Sequence, residues 1–237
     1  MLECKKILGK KLVFSCFFLQ FCYNVFRGEN MLVNPYVTNI NTQILKKLTP
    51  HGKFHVALKD KIELDYKKYR CFEEKFEING DPVEKAYYSS LGKAYVISKN
   101  PYSNMVDLSV DYETRIKILK SFTCRYLITS ALKKYFSLDA NNFITNESSS
   151  SFFIMGLFDE EKIKEVIILL QRIISVYIES GLNVRTEKTE EGYICHIDGI
   201  YNGKFLFPHL SNLAEIGRFN VVHFELSQNG VTIHYNN

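Results

Sequence analysis

The chain has 237 residues and a formal net charge of +4, with 46% apolar and 24% charged residues. That length supplies one large core or two small ones, and that balance is ordinary for a globular protein. Five basic and two acidic residues lie in positions 1–30 and leave the other 207 positions with 25 basic and 24 acidic groups, so a strong overall attraction for nucleic acid is excluded and only local patches could provide one.

Residues 1–30 combine a basic start with an apolar run from Leu12 to Phe26, interrupted by Gln20 and Asn24. No small-residue cleavage site follows, and the run is short for a membrane span, so neither a signal peptide nor a membrane anchor is expected. For a bacterial gene, Arg27-Gly28-Glu29-Asn30 fits a purine-rich ribosome-binding site ahead of Met31. Translation is therefore expected to begin at Met31, with 1–30 a mis-called extension.

From Met31 to residue 110 the pattern is of short strands. Asn39–Leu48 alternates weakly, and Lys53–Leu58 places Phe54, Val56 and Leu58 on one face. Phe76-Glu77-Ile78 runs into Asn79-Gly80, a tight-turn dipeptide. Ala86–Ser89 and Lys93–Ser98 flank Gly92 as a second hairpin, and Val106–Val110 ends the set. A small β-barrel or sandwich is predicted.

At residue 111 the period changes. Ile116, Leu119, Phe122, Tyr126, Leu127 and Leu132 fall near helical spacing behind Asp111, a plausible N-cap. Strands are expected at Asn142–Thr145 and Ser151–Met155. Asp159 to Ser180 reads as a helix with a wide apolar stripe, mostly buried and closed by Gly181. Strands near 193–198, 219–226 and 230–235 follow, the last two a hairpin around Gln228-Asn229-Gly230. The fold class is therefore α+β, with a barrel-like domain at 31–110 and a second α+β domain at 111–237.

Six cysteines at 4, 16, 22, 71, 124 and 195 show no paired spacing. Neither a disulfide framework nor a zinc ribbon is expected, and a reducing cytoplasm is the simpler setting.

Three segments together resemble the alanyl-tRNA editing family, which comprises the free-standing AlaX proteins and the editing region shared by alanyl- and threonyl-tRNA synthetases. NPYVTNINTQILKKLTPHGKFHVALKD (34–60) is similar to the family's opening strands. DYETRIKILKSFTCRYLITSAL (111–132) is similar to the helix that normally carries HxxxH. FPHLSNLAEIGRFNVVHFELSQNGVTIHY (207–235) is similar to the loop and hairpin that normally carry CxxxH, Ser-Asn and Glu-Ile-Gly. The resemblance covers nearly all of 31–237. It implies an α/β sandwich of the editing type after the barrel, and hydrolysis of the ester joining a wrong amino acid to tRNA, assisted by zinc.

The sequence departs from the family where the metal would sit. The two helix histidine positions fall on Phe122 and Tyr126, and the loop cysteine position falls on Phe205. Only His209 matches. The family's Gly-Gly-Gln segment is replaced by KIELDYKKYR at 61–70. One imidazole does not hold zinc, and three aromatic rings would close the pocket by packing. No cofactor is expected.

Other residues do not make good substitute ligands. Cys124 is two residues from both helix positions and so on another face. Cys195 and His196 are strand neighbours pointing to opposite sides. Glu215, following the Ser-Asn, is assigned a structural role in preference to that of a general base. The pairs Lys46-Lys47, Lys67-Lys68 and Lys133-Lys134 could reach phosphates, and Lys67, Lys68, Lys133 and Lys134 are the candidate tRNA contacts. The leading expectation is an AlaX-like pseudoenzyme with tRNA as its partner. The alternatives are a zinc-independent deacylase and a protein-interaction module without tRNA contact.

Overall fold

The computed structural model describes residues 35–237 except 63, 99, 100 and 191. The segment 1–30 and the expected start at Met31 lie outside the described residues. The chain is strand-rich α+β.

Six strands come first: β1 (Asn39–Leu48), β2 (Phe54–Leu58), β3 (Phe76–Ile78), β4 (Asp81–Ser89), β5 (Gly92–Ile97) and β6 (Met105–Val110). They close into an antiparallel barrel in the order β1-β2-β5-β4-β3-β6, which leaves no free edge. Val56, Leu58, Ile78, Tyr95, Ile97 and Leu108 fill its interior. Ile78 pairs with Asp81, so the β3–β4 turn is Asn79-Gly80, with φ of 52° and 80°. Two positive φ values define the turn whose twist matches paired strands, and asparagine and glycine tolerate them best.

One helix in this half was not legible in the sequence. Helix α1 (Tyr66–Tyr69) lies between β2 and β3 and is capped by Asp65, which accepts from the Lys68 backbone N–H at 3.0 Å.

Helix α2 (Tyr112–Ala131) follows β6 directly, and Asp111 accepts from the Thr114 backbone N–H at 2.8 Å, as its capping position requires. Its last turn widens into π-type geometry over Leu132–Phe136. Next come β7 (Ala140–Thr145), β8 (Ser150–Met155), α3 (Glu160–Glu179), β9 (Val184–Thr189), β10 (Gly192–Ile197) and β11 (Tyr201–Lys204). A 3₁₀ turn at Leu213–Ile216 leads to β12 (Asn220–Ser227) and β13 (Gly230–Asn236). These strands form two antiparallel sheets, β12-β13-β8-β7 and β11-β10-β9. Both helices and both sheets contribute to one core that includes Leu127, Phe152, Leu170, Cys195 and Ile233. Gly230 permits the approach of β13 to β8: a Cβ there would lie 2.2 Å from the Ile154 carbonyl oxygen.

The expectation that α3 is mostly buried is corrected. Ile163, Val166, Leu170, Ile174 and Ile178 face the core, whereas Ile168, Leu169 and Val176 are 53%, 48% and 62% exposed. The helix meets protein along a single stripe, and the apolar residues beyond it face solvent. No helix among the described residues is long and apolar enough to cross a membrane.

The barrel is tied to α2 by a buried ion pair. Arg115 is fully enclosed, and its Nε faces a Glu74 carboxylate oxygen. Its remaining donors reach the carbonyls of Pro35 at 2.9 Å, Val37 at 3.1 Å and Ile62 at 2.5 Å. Glu74 also accepts from the Leu64 backbone N–H at 2.8 Å. A charge this deep needs such complete satisfaction to be tolerated.

Candidate functional site

The sequence singled out Phe122 and Tyr126 on α2, and Phe205 and His209 on the loop after β11. The structure brings these four into one aromatic cluster, with Phe207 at its centre. The Phe207 ring lies 5.5 Å from Phe122 and 6.0 Å from Tyr126, measured between centroids. The His209 ring is 6.2 Å from Tyr126 and 5.8 Å from Phe205. Phe122, Tyr126 and His209 are all buried. From the barrel side, Tyr69 of α1 covers Phe122 at 5.4 Å and Phe207 at 6.1 Å.

Hydroxyl groups hold the loop to the helix. The Tyr126 hydroxyl donates to the Phe207 carbonyl at 2.8 Å and accepts from the N–H groups of Leu206 at 2.8 Å and Phe207 at 2.7 Å. Thr123 Oγ1 donates to the Leu119 carbonyl at 2.8 Å and accepts from the Leu210 N–H at 3.0 Å. Burial pushes the Tyr126 phenol well above its ordinary value, so it stays protonated and keeps its donor role.

His209 has both ring nitrogens engaged. Nδ1 lies 2.8 Å from the Leu210 carbonyl oxygen, which only accepts, so Nδ1 carries the proton. Nε2 then presents its lone pair to the Thr186 hydroxyl at 2.6 Å. Burial lowers the imidazole's affinity for a second proton, which keeps the ring neutral.

This set does not fit zinc. Phe122 and Phe205 offer no donor atom, the Tyr126 oxygen is protonated and saturated, and the His209 lone pair is directed at Thr186. The nearby cysteines do not complete it. Cys124 is buried, and burial pushes its thiol far up. Cys195 is buried beside Tyr126 and pushed up to about 12 by burial, while His196 lies on the opposite face of β10, with Nε2 3.2 Å from Glu187.

Glu215 acts as a cap. Its carboxylate accepts from the Asn212 N–H at 2.9 Å, the Ser211 hydroxyl at 2.9 Å and the Tyr36 hydroxyl at 2.9 Å, while Asn212 Oδ1 accepts from the Ala214 N–H at 2.8 Å. The Ser-Asn and Glu-Ile-Gly residues thus build a capping box around the 3₁₀ turn.

Besides Tyr69, two residues that sequence reasoning missed complete the site. Arg125 is buried with its guanidinium carbon 4.6 Å from the Phe122 centroid and 4.7 Å from that of Phe207. It donates to the Tyr69 carbonyl and to Thr145 Oγ1, both at 2.8 Å. Phe207 was passed over because its residue type matched no ligand position. Its place two residues before His209 was the available signal, since alternate residues of an extended loop share a side.

The four lysines are all exposed but differ in setting. Lys67 Nζ lies over the rings of Tyr66 at 5.9 Å and Tyr88 at 5.5 Å, and Lys68 Nζ lies over Tyr69 at 5.0 Å. Arg70 extends this group and reaches Asn142 at 3.2 Å. Lys133 is paired with Asp139 at 3.2 Å, and Lys134 Nζ lies 5.3 Å from the Tyr135 ring. The structure therefore places Lys67 and Lys68 on α1, with Lys68 over the Tyr69 ring that covers the aromatic cluster and Lys67 over Tyr66 and Tyr88 beside it, and Lys133 and Lys134 on the turn that ends α2.

Neither a scan of protein-family models nor a search of curated proteins gives a match.

Proposed function

We propose that this chain is a cytoplasmic, AlaX-like protein whose editing-type domain has lost hydrolysis and retains tRNA binding. The observation that carries the reading is the state of the ligand positions. Phe122, Tyr126 and Phe205 surround a His209 with both nitrogens hydrogen-bonded, so nothing is left to bind a metal or activate water. The loop and helix are held together by the Tyr126 hydroxyl. The Lys67, Lys68 and Arg70 group, interleaved with Tyr66 and Tyr69, offers cations for phosphates and rings for unstacked bases.

The test is twofold. Mischarged tRNA(Ala) should not be deacylated by the full chain, with or without added zinc. Binding of tRNA should weaken with salt, and Lys67→Ala with Lys68→Ala should reduce the salt slope by about 0.7–0.9 for each phosphate that is no longer neutralised. Turnover comparable with an intact editing protein would overturn the loss of hydrolysis. Turnover that survives chelation would favour the zinc-independent deacylase. Absence of salt-sensitive tRNA binding would leave a protein-interaction module.

A further inference from the structure

Far from the aromatic cluster, the final hairpin brings together a second set of metal-ligating side chains. Ser227 pairs with Gly230 across the turn, and that register sets His223 directly opposite His234. The two imidazoles stack in parallel, with centroids 4.1 Å apart and planes 9° from one another. Glu225 is two residues from His223 on the same strand and therefore on the same face. Its Oε1 lies 3.5 Å from His223 Nε2 and 3.8 Å from His234 Nε2. One ligand atom from each of the three residues falls within 4.8 Å of the others.

These separations suit a metal better than they suit one another. At 3.5 and 3.8 Å the carboxylate is too far for good hydrogen bonds to either ring. Zinc bonds to imidazole and carboxylate of about 2.0–2.2 Å place neighbouring ligands of a tetrahedron about 3.4 Å apart. The His–Glu edges need to close by only tenths of an ångström, and the exposed His223 ring must also turn out of its parallel stack on His234, because an ion lies in the plane of each imidazole that binds it. His223 and Glu225 are free to make that adjustment, with side chains 53% and 67% exposed. His234 Nε2 is a buried atom with no hydrogen-bond partner. The Nε2 of His196 shares that condition, so what singles out His234 is the second imidazole and the carboxylate beside it, where a metal bond would satisfy the nitrogen.

We propose that His223, His234 and Glu225 form a binding site for a divalent transition-metal ion of the zinc class. Two imidazoles and a carboxylate are the donors that select such an ion over magnesium or calcium. Three protein ligands leave a position open to water or an incoming donor, as in exchangeable and catalytic sites and unlike closed structural ones. The ion would also staple β12 to β13. The inference is independent of the editing-family reading, because none of its residues belongs to the aromatic cluster.

The test is titration of the full chain with Zn²⁺ against a competing chromophoric chelator, beside His223→Ala, His234→Gln, Glu225→Gln and the control His196→Ala. His196 is the control because it also lies beside a glutamate, with Nε2 3.2 Å from Glu187. The wild type and the control should bind one ion with equal affinity. Loss of an outer-shell partner already costs about 10–100-fold in metal affinity, so each ligand variant should weaken binding by at least about tenfold. Zn²⁺ should raise the thermal midpoint of wild type and leave that of His223→Ala unchanged. Failure of the wild type to compete with the chelator would overturn the site. So would equal affinity in wild type, His223→Ala and His234→Gln, which would assign the ion to other residues.

Discussion

Replacing Tyr126 by phenylalanine removes one oxygen atom and leaves the ring contacts in place. The oxygen makes three hydrogen bonds, two from backbone N–H groups and one to a carbonyl, all between 2.7 and 2.8 Å. At about 0.5–1.5 kcal/mol net for each of the three bonds, the loss is about 1.5–4.5 kcal/mol. The upper end applies where the orphaned groups stay dry. The Leu206 bond is only partly buried, so water near it offsets part of the loss and the total should fall near the middle of that range. Urea unfolding gives the number: the midpoint should drop at constant slope. Amide exchange gives the location: Leu206 and Phe207 should lose protection, while the barrel amides keep theirs. A loss below about 0.5 kcal/mol, typical of an ordinary surface substitution, with exchange unchanged, would refute the idea that this hydroxyl pins the loop.

Three further outcomes follow from buried groups. Glu74→Gln leaves Arg115 enclosed without its carboxylate and should destabilise the chain by about 3–5 kcal/mol in thermal or urea melts; a loss below about 1 kcal/mol would mean that the carbonyls of Pro35, Val37 and Ile62 suffice. His209 is held neutral by burial, so its folded-state pKa lies below the unfolded value of about 6.5. Its contribution is therefore fully present above that pH and is lost as pH falls towards the folded-state value; the stability difference between wild type and His209→Asn should shrink on acidification, and a constant difference from pH 7.5 to 5 would contradict it. The thiols of Cys71 and Cys195 are pushed up to about 12 by burial, so peptide-resolved alkylation of the native chain at pH 8 should spare both; rapid labelling of either would place it in a more polar setting.

How much of this was legible beforehand depends on the range of the contact involved. Local signals carried well. The Asn79-Gly80 turn and the Asp111 cap are each decided within four residues, and the structure has both. Strands β9 and β11 were missed because VRTEKT and YNGK lack apolar alternation and are made strands by their pairing with β10. The stripe of α3 through Ile163, Val166, Ile167, Leu170, Ile173, Ile174 and Tyr177 is buried or half-buried as read, but its width was taken to mean a mostly buried helix, and the apolar Ile168, Leu169 and Val176 outside it face solvent. In the aromatic cluster, the positions Phe122, Tyr126, Phe205 and His209 came from the family resemblance. The contributions of Tyr69, Arg125 and Phe207 depend on contacts between segments as much as 138 positions apart, such as Tyr69 with Phe207. The His223–His234 pair was within reach: counting four residues back from Ser227 and four on from Gly230 lands on both.

The central proposal is that the place where the family resemblance would put a metal is closed here by packing. Zinc stoichiometry of the purified full chain, measured side by side with His209→Ala, tests it most directly. The account predicts that His209→Ala retains the zinc content of the wild type, since any bound ion belongs to the His223 hairpin. Stoichiometric zinc that disappears with His209→Ala would contradict it, and would restore metal-dependent editing as the function of this chain.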